Sequence, residues 1–267
     1  MVGGRETPMT DKLHEQLRNW SQGFRYEIDF WREWFATKGL SWPDDYAQRF
    51  DAALPLDHDL LELAASMGRP NVRILDVGSG PATNVGKTMP GVDVLLQACD
   101  PLAHQYSALW EEFQAYPPVR TEFAVAEELS SFFETSSFDI AHCRNALDHS
   151  FDPLRGILEM LKIVRVGGWV VLRHHPNEAE REAYAGFHQY NFEIRDGRFV
   201  IWNRGETLEP AKLMPIATEF RCDGTGDVVV IIRKKGEFPR AEFSSESRQR
   251  LQNLYGAMVK LFAAEPS

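Results

Sequence analysis

The hydrophobic positions at the start of the chain recur with a helical period. Between residues 10 and 38 they fall at steps of three and four, which predicts one long helix. Its first apolar stripe consists of Leu17, Trp20, Phe24, Ile28, Trp31 and Phe35. A second stripe, on another face, consists of Tyr26, Phe30 and Trp34. Because a helix with two aromatic faces needs two partners, three arrangements stay open: a lid over a site, contact with a second copy of the chain, or burial of both faces in a helical cap.

From residue 72 onward, short apolar runs alternate with helical segments. Strands are predicted at residues 72–77, 94–99, 119–124, 138–143 and 169–174. Helices are predicted from residue 82, over residues 101–115 and over residues 153–164, with Gly167 and Gly168 as a stop before the fifth strand. Such alternation predicts a parallel sheet with helices on both sides.

The pattern changes after the fifth strand. Runs at residues 187–195 and 198–203 flank Asp196-Gly197, which is a strong hairpin signal. Two further strands are predicted at residues 214–222 and 227–233, and an amphipathic helix at residues 244–264. We therefore expect an N-terminal helical cap (residues 1–55), an α/β core (residues 56–236) with a hairpin insertion at residues 187–203, and a C-terminal helix packed on the core (residues 237–267).

The first strand ends in a glycine turn with acidic neighbours. Asp76 precedes Gly78-Ser79-Gly80, and the next strand ends in Asp100, about 20 residues after the turn. Glycines allow a sharp turn and a close approach of a ligand to the backbone, and an acid at this spacing suits the two hydroxyls of a ribose. The sequence thus predicts a nucleoside-binding crevice at the carboxyl ends of the strands.

The residues after the turn indicate which nucleoside ligand fits. A dinucleotide fold places a third small residue where this chain has Thr83, and Pro81 lacks the N–H that a pyrophosphate would use. The pattern therefore favours an adenosine with a tail that carries no phosphate.

The stretch Asp-Val-Gly-Ser-Gly-Pro from Asp76 to Pro81 resembles motif I of the class I S-adenosylmethionine-dependent methyltransferases. Asp100 matches the ribose-binding acid of that family. Residues 138–145 resemble its fourth strand, and residues 152–169 resemble the helix and turn before its fifth. The resemblance covers about residues 56–235 and implies a Rossmann-like sheet, mostly parallel with an antiparallel ending, and S-adenosylmethionine as cofactor.

The resemblance also implies a set of cofactor-binding residues. They are Asp76, Gly78, Ser79, Gly80, Asp100, Pro101 and Asn145. The family's acid near the adenine is replaced by Val125, so Ala126 and Glu127 are the candidates for that contact.

Histidines beyond the carboxyl ends of the strands are the candidate bases for an acceptor hydroxyl. His149 follows the fourth strand and is the first choice, with Asp148 beside it. His174 and His175 end the fifth strand and come next, followed by His188. Each could instead be a hydrogen-bonded loop histidine that shapes the pocket. Asp148, His149, His174 and His175 could together supply nitrogen and oxygen ligands to a metal ion, and this alternative stays open. Because simple methyl transfer needs no metal and no ligand spacing fixes a site, no metal is assigned.

Composition limits the acceptor and the compartment. The chain has 267 residues and a net charge of −10, which argues against a nucleic acid substrate. Its three cysteines have no paired spacing, and neither a signal sequence nor a membrane span is predicted, so the expected compartment is the cytoplasm. The aromatic lid and the hairpin suit a small acceptor such as a sugar-containing compound or secondary metabolite. We expect O-methylation; N-methylation of a small molecule, or cofactor binding without catalysis, are the alternatives.

Overall fold

The computed structural model describes residues 9–214, 218–224 and 226–237, together with residues 249, 252, 253, 255, 256 and 259. Those six positions are helical, and the rest of the helix predicted at residues 244–264 lies outside the described residues. None of the helices within the described ranges is long and apolar enough to cross a membrane.

Helices and strands alternate along the core. The helices are α1 (Met9–Thr37), α2 (Pro43–Phe50), α3 (His58–Ser66), α4 (Ala103–Phe113), α5 (Leu129–Phe132), α6 (Pro153–Ile163), α7 (Glu178–Arg181) and α8 (Pro210–Leu213). The strands are β1 (Asn71–Val77), β2 (Asp93–Asp100), β3 (Thr121–Phe123), β4 (Phe138–Arg144), β5 (Val164–His174), β6 (Asn191–Arg195), β7 (Arg198–Trp202), β8 (Thr207–Leu208), β9 (Thr218–Asp223) and β10 (Val228–Lys234). Single 3₁₀ turns lie at Ala126–Glu128 and Leu147–His149.

Seven strands form the main sheet in the order β3-β2-β1-β4-β5-β10-β9. The first five are parallel, whereas β10 runs antiparallel to both β5 and β9. Strand β4 is buried on both faces up to Arg144, as expected for a parallel strand covered by helices on each side. The predicted Rossmann-like sheet with an antiparallel ending is confirmed.

A second, smaller sheet contains β6, β7 and β8 in antiparallel order. Its first turn is Asp196-Gly197, and both residues have positive φ (52° and 72°), as a two-residue type I′ turn requires. The predicted hairpin is present, although its first strand begins at Asn191 rather than at residue 187, and β8 adds a third strand.

Two sequence predictions about local structure are wrong. No helix follows β1 from residue 82. The Thr83 hydroxyl there accepts the N–H of Val85 and donates to Asp76, which holds the segment as a loop. Strand β5 begins at Val164, not residue 169, and runs through the two glycines. A Cβ on Gly168 would lie 2.5 Å from the Asp139 carbonyl oxygen, so this glycine allows a close strand contact instead of ending a helix.

Helix α1 packs across α2 and α4 through its aromatic side chains. Trp34 contacts Tyr46 of α2 with ring centroids 4.7 Å apart, and Phe35 stacks on Phe113 of α4 at 5.5 Å. Both apolar stripes therefore have contacts within the chain, and Tyr26 remains half exposed. This packing places α1 above the carboxyl ends of the parallel strands.

Candidate active site

A cavity of about 640 Å³ lies at the carboxyl ends of β1, β2 and β4, with α1 as its roof. Its floor includes the glycine turn, and its far wall includes the loop after β4 and the segment before β6. Carboxyl side chains outnumber basic ones in the lining. The acids are Glu27, Asp45, Asp76, Asp100, Glu127, Glu178 and Glu182, and the basic residues are Arg49, Arg144, His149, His175 and His188.

The backbone of the glycine turn has its N–H groups occupied by the protein. The amides of Gly78 and Ser79 donate to the Cys99 carbonyl, at 2.8 and 3.1 Å, and Gly80 donates to Asp100 Oδ2 at 3.1 Å. Pro81 has no N–H. Phosphate binding at such turns depends on free N–H groups, so this turn does not suit a pyrophosphate.

The carbonyl side of the same turn is held by three neighbouring elements. The Thr121 hydroxyl donates to the Gly80 carbonyl at 2.7 Å, and the Trp110 indole N–H donates to the Pro81 carbonyl at 2.9 Å. Arg49 of α2 donates to the Ala82 carbonyl at 2.6 Å. Since β3, α4 and α2 all contribute, the turn keeps its shape without a ligand.

Asp100 lies at the end of β2 against the glycine turn. Each of its oxygens accepts one backbone N–H, Oδ2 from Gly80 and Oδ1 from Leu102 at 2.8 Å. Burial raises the pKa of the Asp100 carboxyl to about 7, although the two N–H donors work in the opposite direction. Asp100 lines the cavity, where a ribose hydroxyl could donate to its carboxylate.

Asp76 is already bonded to two buried side chains. Its Oδ2 accepts the Thr83 hydroxyl at 2.6 Å, and its Oδ1 lies 2.8 Å from Nδ1 of His142 on β4. This contact gives His142, within β4, a structural role. Asp76 still lines the cavity, so these two partners orient a carboxylate that a ligand can reach.

The segment after β3 contributes Ala126 and Glu127 to the cavity, whereas Val125 is fully buried and outside the lining. Glu127 Oε1 accepts the N–H groups of Phe151 and Asp152, at 2.8 and 3.1 Å. Burial raises the pKa of the Glu127 carboxyl to about 8, against the effect of these backbone donors. Glu127 thus joins two loops at the wall of the cavity and is largely neutral at pH 7.

Trp31 of α1 covers the glycine turn. A Cβ added to Gly80 would lie 2.6 Å from Cζ2 of Trp31, and the Trp31 indole donates to Glu27 Oε1 at 2.7 Å. Arg49 lies over the same indole ring, 5.4 Å from its centroid. Gly80 is therefore required both for its φ of +64° and for the space that Trp31 occupies.

Three side chains meet on the far wall of the cavity. Nδ1 of His188 lies 3.0 Å from Asp148 Oδ2, and Nε2 of His149 lies 3.2 Å from the same oxygen. The two ring nitrogens are 3.1 Å apart. Asp148 is buried, while His149 and His188 are partly exposed and line the cavity. We refer to Asp148, His149 and His188 as the histidine–aspartate cluster.

Burial lowers the pKa of His149, but the adjacent Asp148 carboxylate outweighs it and brings the pKa to about 9. Asp148 has a pKa below its usual range because His149 and His188 stabilise its charge against the cost of burial.

His174 lies outside the cavity lining and is 1% exposed, and burial lowers its pKa to about 3. Neither ring nitrogen of His174 has a hydrogen-bond partner among the described residues.

His175 and Asn145 connect the loops after β5 and β4. The Asn145 side-chain oxygen accepts the His175 N–H at 2.9 Å, and the Asn145 N–H donates to the Arg173 carbonyl at 3.0 Å. The His175 ring lies 3.1 Å from Asp227 and is 44% exposed. Both residues line the cavity, but His175 lies apart from the histidine–aspartate cluster, with a different carboxylate.

Residues 75–172 match the family model described as a methyltransferase domain. This chain contains a class I S-adenosylmethionine-dependent methyltransferase domain. The match runs from β1 through β5 and so includes the glycine turn, Asp100 and two members of the histidine–aspartate cluster. S-adenosylmethionine is the cofactor of this methyltransferase.

No curated protein matches the methyltransferase sequence. Among solved structures, a 16S rRNA methyltransferase from T. thermophilus in complex with AdoMet and guanosine has a TM-score of 0.37 at 11% identity, covering 64% of this chain and 37% of that chain. The CMeT domain of the citrinin polyketide synthase has a TM-score of 0.42 at 17% identity, covering 62% of this chain and 47% of that chain. The trans-methyltransferase CalH, in complex with SAH, has a TM-score of 0.45 at 14% identity, covering 64% of this chain and 54% of that chain. The methyltransferase thus spans about half or less of each protein's length, and likenesses this distant say nothing of its substrate.

The cavity fits the cofactor in charge and in hydrogen bonding. S-adenosylmethionine carries a sulfonium, an ammonium and a carboxylate, and hence a net positive charge, and it has no phosphate. The lining is rich in acids, and the glycine turn offers no free N–H to a phosphate. Asp100 provides an acceptor beside that turn.

Most residues named from the sequence line one cavity. Asp76, Gly78, Ser79, Gly80, Asp100, Pro101, Ala126, Glu127, Asn145, His149, His175 and His188 are all in its lining, and His174 is not. Sequence reasoning missed Glu27 as a cavity residue and Arg49 as a support of the turn, whereas Trp31 belongs to a stripe for which a lid over a site was one of the expected arrangements. The aromatic stripes of α1 were the available signal for Trp31. No pattern along the chain could have indicated that Arg49 reaches a carbonyl 33 residues away.

Proposed function

We propose that this methyltransferase methylates a hydroxyl group of a small acceptor, such as a sugar-containing compound or a secondary metabolite, with a histidine as the base. The observation that supports this proposal is the histidine–aspartate cluster, whose two histidines line the same cavity as the glycine turn and Asp100. A proton acceptor is needed beside the methyl group only when the acceptor atom holds a proton as the bond forms, as a hydroxyl does.

The cofactor-binding residues would divide the cavity into two sides. Asp100 would accept the ribose hydroxyls, and Ala126 with Glu127 would contact the adenine. Asp76 and Asn145, held in place by His142 and His175, would bind the methionine tail. The reactive end of the cofactor would then lie toward the loop after β4, where His149 lines the opposite wall.

The bound cofactor supplies an electrophilic methyl group on its sulfonium. The new bond forms between the acceptor oxygen and that methyl carbon, and the electrons of the breaking carbon–sulfur bond stay on sulfur. The hydroxyl proton passes to an imidazole of the histidine–aspartate cluster. His188 contacts Asp148 through Nδ1, which leaves Nε2 to accept the proton. His149 contacts the same carboxylate through Nε2, but its pKa of about 9 keeps a proton on Nδ1 at pH 7, so it would accept only at a higher pH.

The rim of the cavity supports a ring-shaped acceptor of small size. Tyr26 and Trp42 line the cavity and are 52% and 59% exposed, so two aromatic faces are available for stacking on a sugar or an aromatic ring. A cavity of about 640 Å³ is within the range that small-molecule sites occupy.

The test is transfer of a labelled methyl group from S-adenosylmethionine to a panel of hydroxyl compounds, amines and RNA. We expect an O-methyl product, identified by mass spectrometry and NMR, and a loss of at least about 100-fold in kcat for the variant of the base, His149→Ala or His188→Ala. His58→Ala is the matched control and should keep the kcat of the wild type, because His58 is exposed on α3 and lies outside the cavity lining. Methyl transfer only to nitrogen or to RNA, or unchanged kcat in both cluster variants, would refute the proposal.

A further inference from the structure

The three inward atoms of the histidine–aspartate cluster form a nearly equilateral triangle. Its sides are 3.0 Å from Asp148 Oδ2 to His188 Nδ1, 3.2 Å from that oxygen to His149 Nε2, and 3.1 Å between the nitrogens. Ligands held about 2.1 Å from one metal ion in tetrahedral or octahedral geometry are about 3.0 to 3.4 Å apart. We propose that Asp148, His149 and His188 bind one divalent transition-metal ion.

Hydrogen bonding alone accounts poorly for this triangle. Each imidazole nitrogen offers either one N–H or one lone pair in the ring plane. The contact between the two nitrogens requires one to donate and the other to accept, whereas their contacts with the carboxylate require both to donate. A cation removes the conflict, because both nitrogens then present lone pairs to the same point.

The second carboxylate oxygen gives an independent observation. Asp148 Oδ1 is buried with no hydrogen-bond partner among the described residues, and both ring nitrogens of buried His174 are in the same state. His174 Nδ1 lies 3.9 Å from this oxygen. Metal-bound carboxylates are commonly hydrogen-bonded through their other oxygen, so a small shift that brings these two atoms together would let His174 support a metal-bound Asp148.

The surroundings of the triangle suit a cation with open coordination positions. His149 and His188 line the cavity, so an ion held between them faces the space where the acceptor would lie. Glu178 lines the same region and interacts electrostatically with all three ligands. Two imidazoles and one carboxylate favour ions such as Zn²⁺, Co²⁺, Mn²⁺ or Fe²⁺ over Mg²⁺, which prefers oxygen ligands.

A bound cation would change how the acceptor loses its proton. An imidazole that binds a metal through one nitrogen carries hydrogen on the other, so neither histidine could then act as a base. A hydroxyl bound to the cation would instead release its proton to water, because the cation stabilises the oxygen anion. The histidine base of the proposed function would therefore act only in enzyme molecules that hold no metal ion.

The test is calorimetric titration of Co²⁺ and Zn²⁺ into chelator-treated, tag-free protein, with the visible spectrum of Co²⁺ as a second readout. We expect one equivalent of either ion to bind, with Mg²⁺ at least about 100-fold weaker. Removing a ligand, in His188→Gln or Asp148→Asn, should abolish this binding, and His174→Ala should weaken it by about 10-fold or more. His175→Ala is the control and should bind as the wild type does.

Folding of each variant is checked by near-UV circular dichroism and by a cooperative thermal transition. Absence of stoichiometric binding to the folded wild type, or equal binding by folded His188→Gln, would overturn the proposal. The result is independent of the proposed function, since ion binding is measured without an acceptor. Failure to bind a metal leaves the histidine base intact, and failure to methylate hydroxyls leaves the metal site intact.

Discussion

Glu127 gives the stability of this protein a pH dependence that can be worked from the structure. Its side chain is 1% exposed and accepts two backbone N–H groups, and burial raises its pKa from 4.5 to about 8. Between these two values the folded state keeps a proton on Glu127 that the unfolded chain has lost. Stability from this group is therefore fully present below about pH 4.5 and is lost as the pH rises through about 8.

The slope in that window is about 1.4 kcal/mol per pH unit for one proton. Between pH 5.5 and 7.5 the wild type should lose on the order of 2 to 3 kcal/mol through Glu127 alone. Glu127→Gln keeps an acceptor oxygen for the N–H groups of Phe151 and Asp152 but cannot titrate. Its free energy of unfolding should therefore rise relative to that of the wild type by this amount over the same interval.

The assay is urea unfolding of the wild type and Glu127→Gln at several pH values from 5 to 8, followed by circular dichroism. Glu122→Gln, at an exposed position of β3, is the matched control and should leave the pH profile of the wild type unchanged. Asp100 also titrates in this range, but it does so in all three proteins and cancels in the difference. Parallel profiles for the wild type and Glu127→Gln would refute the assignment of a buried, protonated Glu127.

Three further predictions concern the cofactor side. Asp100→Asn should weaken S-adenosylhomocysteine binding by about 10- to 100-fold in calorimetry, because a charged acceptor is lost; unchanged affinity would contradict its role. In the wild type, affinity for S-adenosylmethionine should rise between pH 6 and 8, as the Asp100 carboxyl with its pKa of about 7 ionises, and this rise should be absent in Asp100→Asn. Gly80→Ala should lower the free energy of unfolding by about 1 to 3 kcal/mol more than Gly91→Ala does. The two glycines have similar φ (+64° and +72°), but a methyl group on Gly91 has nothing within 4 Å, whereas one on Gly80 meets Trp31. The difference should shrink when Trp31→Ala is combined with Gly80→Ala.

The order of strands and the position of the glycine turn could be predicted because their signals are local. Apolar runs of strand length, glycines at the turn and acids at the strand ends all lie within short windows of the chain. Parallel strands bring their carboxyl ends to one edge of the sheet. Residues as far apart as Gly80 and His149 were therefore expected in one crevice before any contact was known.

Contacts between neighbouring strands could not be predicted in the same way. Asp76 and His142 are opposite each other in the register of β1 and β4, and that register places their side chains 2.8 Å apart. The sequence shows only an acid before a turn and a histidine within an apolar strand. Likewise, the loop after β1 lacks its predicted helix because the Thr83 hydroxyl donates a hydrogen bond to Asp76, seven positions earlier. A helical pattern of apolar residues gives no sign of such a contact.

Two segments that flank the matched domain complete the part of the cavity where we propose that the acceptor binds. Helix α1 contributes the roof, and the segment before β6 contributes Phe187 and His188. These segments are in direct contact, since the Phe24 and Phe187 rings lie 5.4 Å apart and a Cβ on Gly23 would lie 2.1 Å from Phe187. Each therefore fixes the position of the other, and a change of acceptor specificity would require matched changes in both. Both segments lie outside residues 75–172, so the family match says nothing about the acceptor.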